Sequence, residues 1–411
     1  MGKIIKNIKS WLKTRGPGII TGAADNDPAG LSTYSVAGAA TGYSLLWLMV
    51  IATPILIAVE SICARLGNVK KKGLAKIFKE HFPSPIPQIV TILLIFCNLI
   101  NLGANISGMA VAFSLITRVN YIFWVIPSGI LLWYLILFHN YRFLQKFLLL
   151  LSAFFFTYIL AAILAKPDWF AVLGGLIIPQ FNLSPSYFLV AVGLMGTTLI
   201  PTLFYWQTSE EIEEHKQKKL AMLEIHNEEK ILAPGLIFSQ IVTIFIMIAT
   251  GATLYQNGIY HIQSAQEAAE ALMPFAGQWA SYLFSLGLII AGIISIPVIS
   301  ISTAYVIADT FGWKDSLSAK IKNEKAFYVV ITLSLFIGML IALSGVNPIN
   351  ALFYSQVING FLVPVLLVMI LLVSNNRKIM GPYINNKFDN FFAFLGLLIT
   401  TIAIIGLFIK R

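Results

Sequence analysis

The chain has 411 residues, 58% of them hydrophobic and 11% charged, with a mean hydropathy of +0.82. A soluble domain carries about 25% charged residues, so the composition excludes a water-soluble globular enzyme and points to a polytopic membrane protein. The net charge of +10 fits basic cytoplasmic loops, not a nucleic-acid partner. A span needs about 20 mostly apolar residues, and eleven segments qualify: 16–42, 44–64, 87–116, 121–138, 144–165, 186–209, 235–256, 278–308, 326–344, 351–374 and 391–409. The first is interrupted by Asp25-Asn26-Asp27-Pro28-Ala29-Gly30. A carboxylate at mid-membrane depth costs roughly 2.5–3.5 kcal/mol even on the lenient insertion scale. Pro28 has no backbone N–H and Gly30 tolerates non-helical torsions, so the helix is expected to break beside the acids. Broken helices at this depth build the ion sites of many transporters.

The third and eighth segments exceed the minimum length, which implies a tilt or a re-entrant turn. The sixth contains Gly196-Thr197-Thr198-Leu199-Ile200-Pro201-Thr202. Pro201 frees carbonyls near Thr197 and Thr198, and in lipid these need an ion or a water. This second break comes five spans after the first, the pattern of an inverted repeat. The expected organisation is one transmembrane unit, with a first repeat over 16–165, a second over 186–374 and an extra helix at 391–409. With the N-terminus inside, 24 of the 28 Lys and Arg fall in cytoplasmic segments; only Arg118, Lys166, Lys410 and Arg411 do not. That asymmetry supports a cytoplasmic N-terminus and an outside C-terminus, in the inner membrane if the source is bacterial. Met1–Arg15 lacks the apolar run of a cleavable signal peptide. Cys63 and Cys97 lie in apolar stretches and define no disulfide framework. The longest polar stretch, Ser209–Lys230, places acids before bases at helical spacing and reads as a solvated helix, with a weak cation funnel at an inner vestibule as the alternative.

With these residues in view, the chain resembles the Nramp divalent-metal transporters. The first span, through Asp27-Pro28-Ala29-Gly30 to Gly42-Tyr43-Ser44-Leu45-Leu46-Trp47, is similar to the family's first helix, whose hallmark is D-P-G-N. Gly196–Thr208 is similar to the sixth-helix motif built around M-P-H. Ala268–Pro274 is similar to the outer loop before the eighth span, and Ser355-Gln356-Val357 to the tenth-helix motif. The resemblance implies an all-α, LeuT-type fold with two inverted five-helix repeats, broken first and sixth spans, and one extra C-terminal helix. It also implies that Asp27 is the metal-binding aspartate and Thr197 the carbonyl donor. Departures accompany the matches. Gly30 stands where the family has asparagine, Ile200 where it has the methionine ligand, and Thr202 and Gln207 where it has histidines. Leu102 and Asn105 stand where it has proton-path acids, and the ninth span lacks the arginine pair. This pattern is similar to an Nramp-related branch associated with magnesium.

Read from the residues, Asp27 is the first candidate ligand. It is also placed to cap the second half-helix, and the roles are compatible because a cap can lend its other oxygen to an ion. Asp25 offers a second carboxylate or faces water, and Asn26 offers a side-chain carbonyl. Gln356 is either an ion or water ligand or a helix–helix hydrogen-bonding group. Thr198 and Thr202 orient water or bond back to their own helix. Asn101 and Asn105, four apart on the third span, share a face and read as a polar seam between helices. Glu60 is expected to snorkel or to pair with Arg65. Every candidate ligand is an oxygen, with His139 and His261 at loop positions and His81, His215 and His226 in loops. Oxygen and water suit Mg²⁺, Ca²⁺ and Mn²⁺, whereas softer ligands favour Zn, Cu and Fe(II). Gly30 leaves room, and Mg²⁺ usually keeps several of its waters. The expected function is a secondary transporter of divalent cations, Mg²⁺ first and Mn²⁺ second, working by alternating access without tight proton coupling. The expected partners are the metal ions and the bilayer, with no resident cofactor and no enzymatic activity. An amino-acid or other organic-solute permease of the same fold class is the alternative, with a channel or receptor as a further class.

Overall fold

The computed structural model describes residues 26–138, 153–218, 228–313 and 324–409, and among these the regular structure is helical. The first described helix is α1, Pro28–Thr41. It is followed by α2 (Leu46–Lys70), α3 (Leu74–His81), α4 (Ile86–Thr117), α5 (Ile122–Phe138), α6 (Phe156–Leu164) and α7 (Trp169–Ile177). The second part of the chain forms α8 (Pro185–Thr198), α9 (Pro201–Lys218), α10 (Glu228–Thr253), α11 (Ala265–Glu270), α12 (Met273–Ala276) and α13 (Ala280–Phe311). It ends with α14 (Lys325–Ala342), α15 (Pro348–Ser374), α16 (Arg377–Met380) and α17 (Lys387–Gly406). Each of the eleven expected spans has a helical counterpart. Of the first span only the half after the break is described, and of the fifth only the part from Ala153.

Eight of these spans are long and apolar enough to cross a membrane by length and composition: α2, α4, α8 continued into α9, α10, α13, α14, α15 and α17. Helices α4 and α13 have 32 residues each, about 48 Å at 1.5 Å per residue. Both are continuous, so tilt or projection beyond the bilayer takes up the excess and neither contains a re-entrant turn. Helix α2 runs six residues past its expected end. It stops where Lys71 adopts a left-handed conformation and donates its N–H to the Gly67 carbonyl.

The amphipathic α3 is an addition to the expected elements, because eight residues are too few for a span. It buries Leu74, Ala75, Ile77 and Phe78, while Lys72 and Glu80 pair at 2.8 Å and Lys79 Nζ reaches the Thr310 carbonyl at the end of α13. Helix α9 continues from the bilayer to Lys218, so the charged connection begins as helix and His215 belongs to it and not to a loop. His139 and His226 lie outside the described residues.

Two apolar clusters form the interior. One gathers α1, α2, α8, α10, α15 and α17; the other gathers α4, α5, α13 and α14, and takes in Ile200, Leu203 and Trp206 from the broken sixth span. The α8–α9 span is buried nearly throughout, whereas little of α17 is buried, with Phe391, Phe394 and Ile402 outward. In lipid that is the normal state of a peripheral helix, since there is no water to drive the side chains inward. One buried ion pair fastens α17 to the bundle, Arg65 to Asp389 at 2.7 Å. Arg65 therefore pairs across to α17. Glu60 is fully buried, which corrects the expectation that it snorkels to the boundary.

Candidate metal centre

Helix α1 begins where its chemistry requires. Pro28 occupies the first helical turn, where a missing N–H costs nothing. Asp27 is the N-cap, with extended torsions (φ −71°, ψ 167°), and one carboxylate oxygen accepts from the Gly30 N–H. The other oxygen, Oδ2, accepts from Asn105 Nδ2 of α4 at 2.8 Å. Asn105 Oδ1 in turn accepts from the Ala29 N–H at 2.9 Å, and Leu31 N donates to the Asp27 carbonyl at 2.9 Å. The N-terminal N–H groups of a helix lack intrahelical partners. Here Pro28 has none, and those of Ala29, Gly30 and Leu31 are all used.

Asp27 is 1% exposed and Asn26 and Asn105 are fully buried. Asn26 donates from Nδ2 to Ser239 of α10 at 2.9 Å, which leaves its carbonyl as the acceptor end. Asp25 lies outside the described residues. From Asn105 a chain of amides runs on: Nδ2 also donates to Asn101 Oδ1 at 3.1 Å, Gln356 Nε2 donates to the same oxygen at 3.0 Å, and Asn359 Nδ2 donates to Gln356 Oε1 at 3.0 Å. Gln356 is thus engaged at both ends by side chains, Asn101 across on α4 and Asn359 one turn on in its own helix α15.

The sixth span breaks at Leu199-Ile200, between α8 and α9. Its cause is local: the Thr197 carbonyl would bond the N–H four residues on, and residue 201 is proline. The Thr197 and Thr198 hydroxyls are fully buried with no hydrogen-bond partner among the described residues. Such groups cost free energy unless water or an ion meets them. Thr202 is turned elsewhere. Its hydroxyl donates to Asn98 Oδ1, its carbonyl accepts from Ser302 at 3.1 Å, and Asn98 Nδ2 donates to Thr303 at 3.0 Å. Ile200 is buried in the apolar cluster with Leu102, Ile106 and residues of α13. Close packing brings α8 onto α15. A side chain at Gly196 would collide with the Gln356 carbonyl and the Gly360 backbone.

Helix α4 thus bonds the start of α1 through Asn105 and the start of α9 through Asn98, and the whole chain can be compared with known proteins on that basis. Residues 18–410 match the family model described as natural resistance-associated macrophage protein-like, Nramp. The chain belongs to the Nramp family. It is 27% identical over 394 residues to the divalent metal cation transporter MntH of Yersinia pestis, covering 92% of this chain and 90% of that protein. It superposes on structures of the Eremococcus coleocola manganese transporter. For variants of that protein the TM-score is 0.77 at 18% identity, covering 96% of this chain and 86% of that one. Mhp1, a nucleobase-cation-symport-1 family transporter, gives 0.62 at 12% identity, covering 96% and 92%. These likenesses identify a LeuT-type fold, and the protein is an integral membrane protein with multiple spans.

Asn26, Asp27, Thr197 and Thr198 lie on the two breaks of this Nramp chain. Gln356 joins Asp27 through Asn101 and Asn105, and Thr202 is drawn to α4 and α13. From sequence, Asn101 and Asn105 read only as a seam, and Asn98, Ser239 and Asn359 do not stand out as site residues. A signal for two of them exists: Asn98, Asn101 and Asn105 recur at intervals of three and four, and Asn359 follows Gln356 by three. What the spacing does not supply is the helix each amide faces.

Proposed function

We propose that this Nramp protein is a secondary transporter of hard divalent cations, Mg²⁺ first and Mn²⁺ second, working by alternating access between the two five-helix repeats. The observation that carries the reading is the Asp27 carboxylate, buried at the start of α1 and held by one donor on each oxygen. A carboxylate accepts at about four lone-pair positions, so each oxygen keeps capacity for an ion. The candidate donors nearby in sequence and on the second break are oxygens: Asn26, Thr197 and Thr198, with Asp25 as an optional second carboxylate. Ile200 supplies no lone pair. Oxygen ligands suit Mg²⁺ and Mn²⁺, and Mg²⁺ is usually held by one or two carboxylates plus waters it keeps. Relatives named as divalent metal cation and manganese transporters agree with the cation class.

The reading excludes tight proton coupling. The side chains linked in series to Asp27, namely Asn105, Asn101, Gln356 and Asn359, are amides that do not titrate near neutral pH. The loop charges favour a cytoplasmic N-terminus. An amino-acid permease would hold its substrate carboxylate on a half-helix N-terminus. The first turn of α1 has no N–H to spare, and Asp27 would repel the substrate. Uptake into proteoliposomes of Mg²⁺, Mn²⁺ and alanine tests the reading. Saturable entry of both metals is expected, with none of alanine. Alanine entry without metal entry would overturn it.

A further inference from the structure

We propose that Asn105 is a positioning residue for metal binding: it fixes the Asp27 carboxylate and the first turn of α1 as one unit. The inference rests on the reading of Asp27 as the ion's carboxylate ligand. Asn105 is fully buried on α4, and its amide is spent in three directions. Nδ2 donates to Asp27 Oδ2 at 2.8 Å and to Asn101 Oδ1 at 3.1 Å, while Oδ1 accepts from the Ala29 N–H at 2.9 Å. Helix α1 dictates the orientation of the amide, because the reverse would set a carbonyl against the carboxylate and an NH₂ against a backbone N–H.

Only a group with both donors and an acceptor satisfies this position. A charged carboxylate at 105 would face Asp27 and add a second negative charge; an aliphatic side chain would strand both the Ala29 N–H and one Asp27 lone pair. Asn105 thus resembles the outer-shell partners that orient ligands in metal sites, whose loss typically costs 10–100-fold in affinity. It also bonds α1 to α4 at the point where α1 begins. The carboxylate consequently has one direction in which to present its remaining lone pairs, with Gly30 N fixing the other oxygen. Asn101, whose Oδ1 collects both Asn105 and Gln356, braces the amide from behind.

The test uses the full-length protein carrying Asn105→Ala, Asn105→Ser, Asp27→Asn, or Asp27→Asn combined with Asn105→Ala. Mn²⁺ uptake is measured in proteoliposomes, and equilibrium Mn²⁺ binding on the purified protein. Asn105→Ala and Asn105→Ser are expected to raise KM roughly ten- to hundredfold with little change in Vmax per transporter. KM does not depend on how much protein reaches the membrane, so reduced folding of one variant does not imitate this result. Because Asn105 acts through Asp27, adding Asn105→Ala to Asp27→Asn should weaken binding little further. An unchanged KM in both single variants, with Asp27→Asn impaired, would overturn the positioning role and leave the Asp27 reading intact. Equal losses in the two backgrounds would also overturn it, since Asn105 would then act on the scaffold alone. Normal uptake by Asp27→Asn would instead remove the metal-site reading itself.

Discussion

In the proposed site, Ile200 sets what a soft metal can gain at the second break. Its side chain is buried in the apolar cluster that also holds Leu102, Ile106 and residues of α13, so it contributes shape and no lone pair. A methionine there has similar volume and a flexible thioether, and such swaps in a core usually cost less than about 1.5 kcal/mol. Ile200→Met should therefore fold and shift preference toward Cd²⁺, the softest probe. Competition of Cd²⁺ against Mg²⁺ uptake measures the shift. A variant with the same Cd²⁺ competition as the parent would mean that position 200 does not face the ion. Asp27 is legible in the sequence because a carboxylate in mid-span is costly in lipid and seldom stands there without a task. Asn105 is not, because two amides on one helix face state that a partner exists without saying which helix supplies it. Only the packed structure shows that the partner is Asp27.

At the scale of elements, the breaks are legible from Pro28 and Pro201, since proline removes a donor whatever surrounds it. The long spans are legible from length and hydropathy. Helix α3 is not, because its four apolar residues, Leu74, Ala75, Ile77 and Phe78, make too short a pattern. The attachment of α17 is also hidden, because Arg65 and Asp389 are 324 residues apart. That pair joins α2 to the first turn of α17 with both side chains almost wholly buried. Removing one partner of a buried pair costs about 3–5 kcal/mol, whereas replacing both by apolar residues is often neutral. Asp389→Asn should therefore lower the thermal unfolding temperature of the detergent-solubilised protein. The double change Arg65→Met with Asp389→Leu should recover most of the loss. A single variant as stable as the parent would show that lipid-type packing alone holds α17.

Across the whole molecule, the Asp27 carboxylate at the start of α1 is joined in series to Asn105, Asn101, Gln356 and Asn359, amides that do not titrate near neutral pH. Membership in the Nramp family gives the LeuT-type frame, and the residues at the breaks give this chain its proposed chemistry. In the proposed alternating access, a movement of α1 or α9 against α4 would have to rearrange the Asp27–Asn105 and Thr202–Asn98 hydrogen bonds. The most direct test of the proposed chemistry records Mg²⁺ influx and lumenal pH in the same proteoliposomes. Mg²⁺ entry is expected with no acidification that scales with it. Exclusion of Mg²⁺ while Mn²⁺ or Cd²⁺ enters with stoichiometric acidification would contradict the oxygen-lined, proton-uncoupled site.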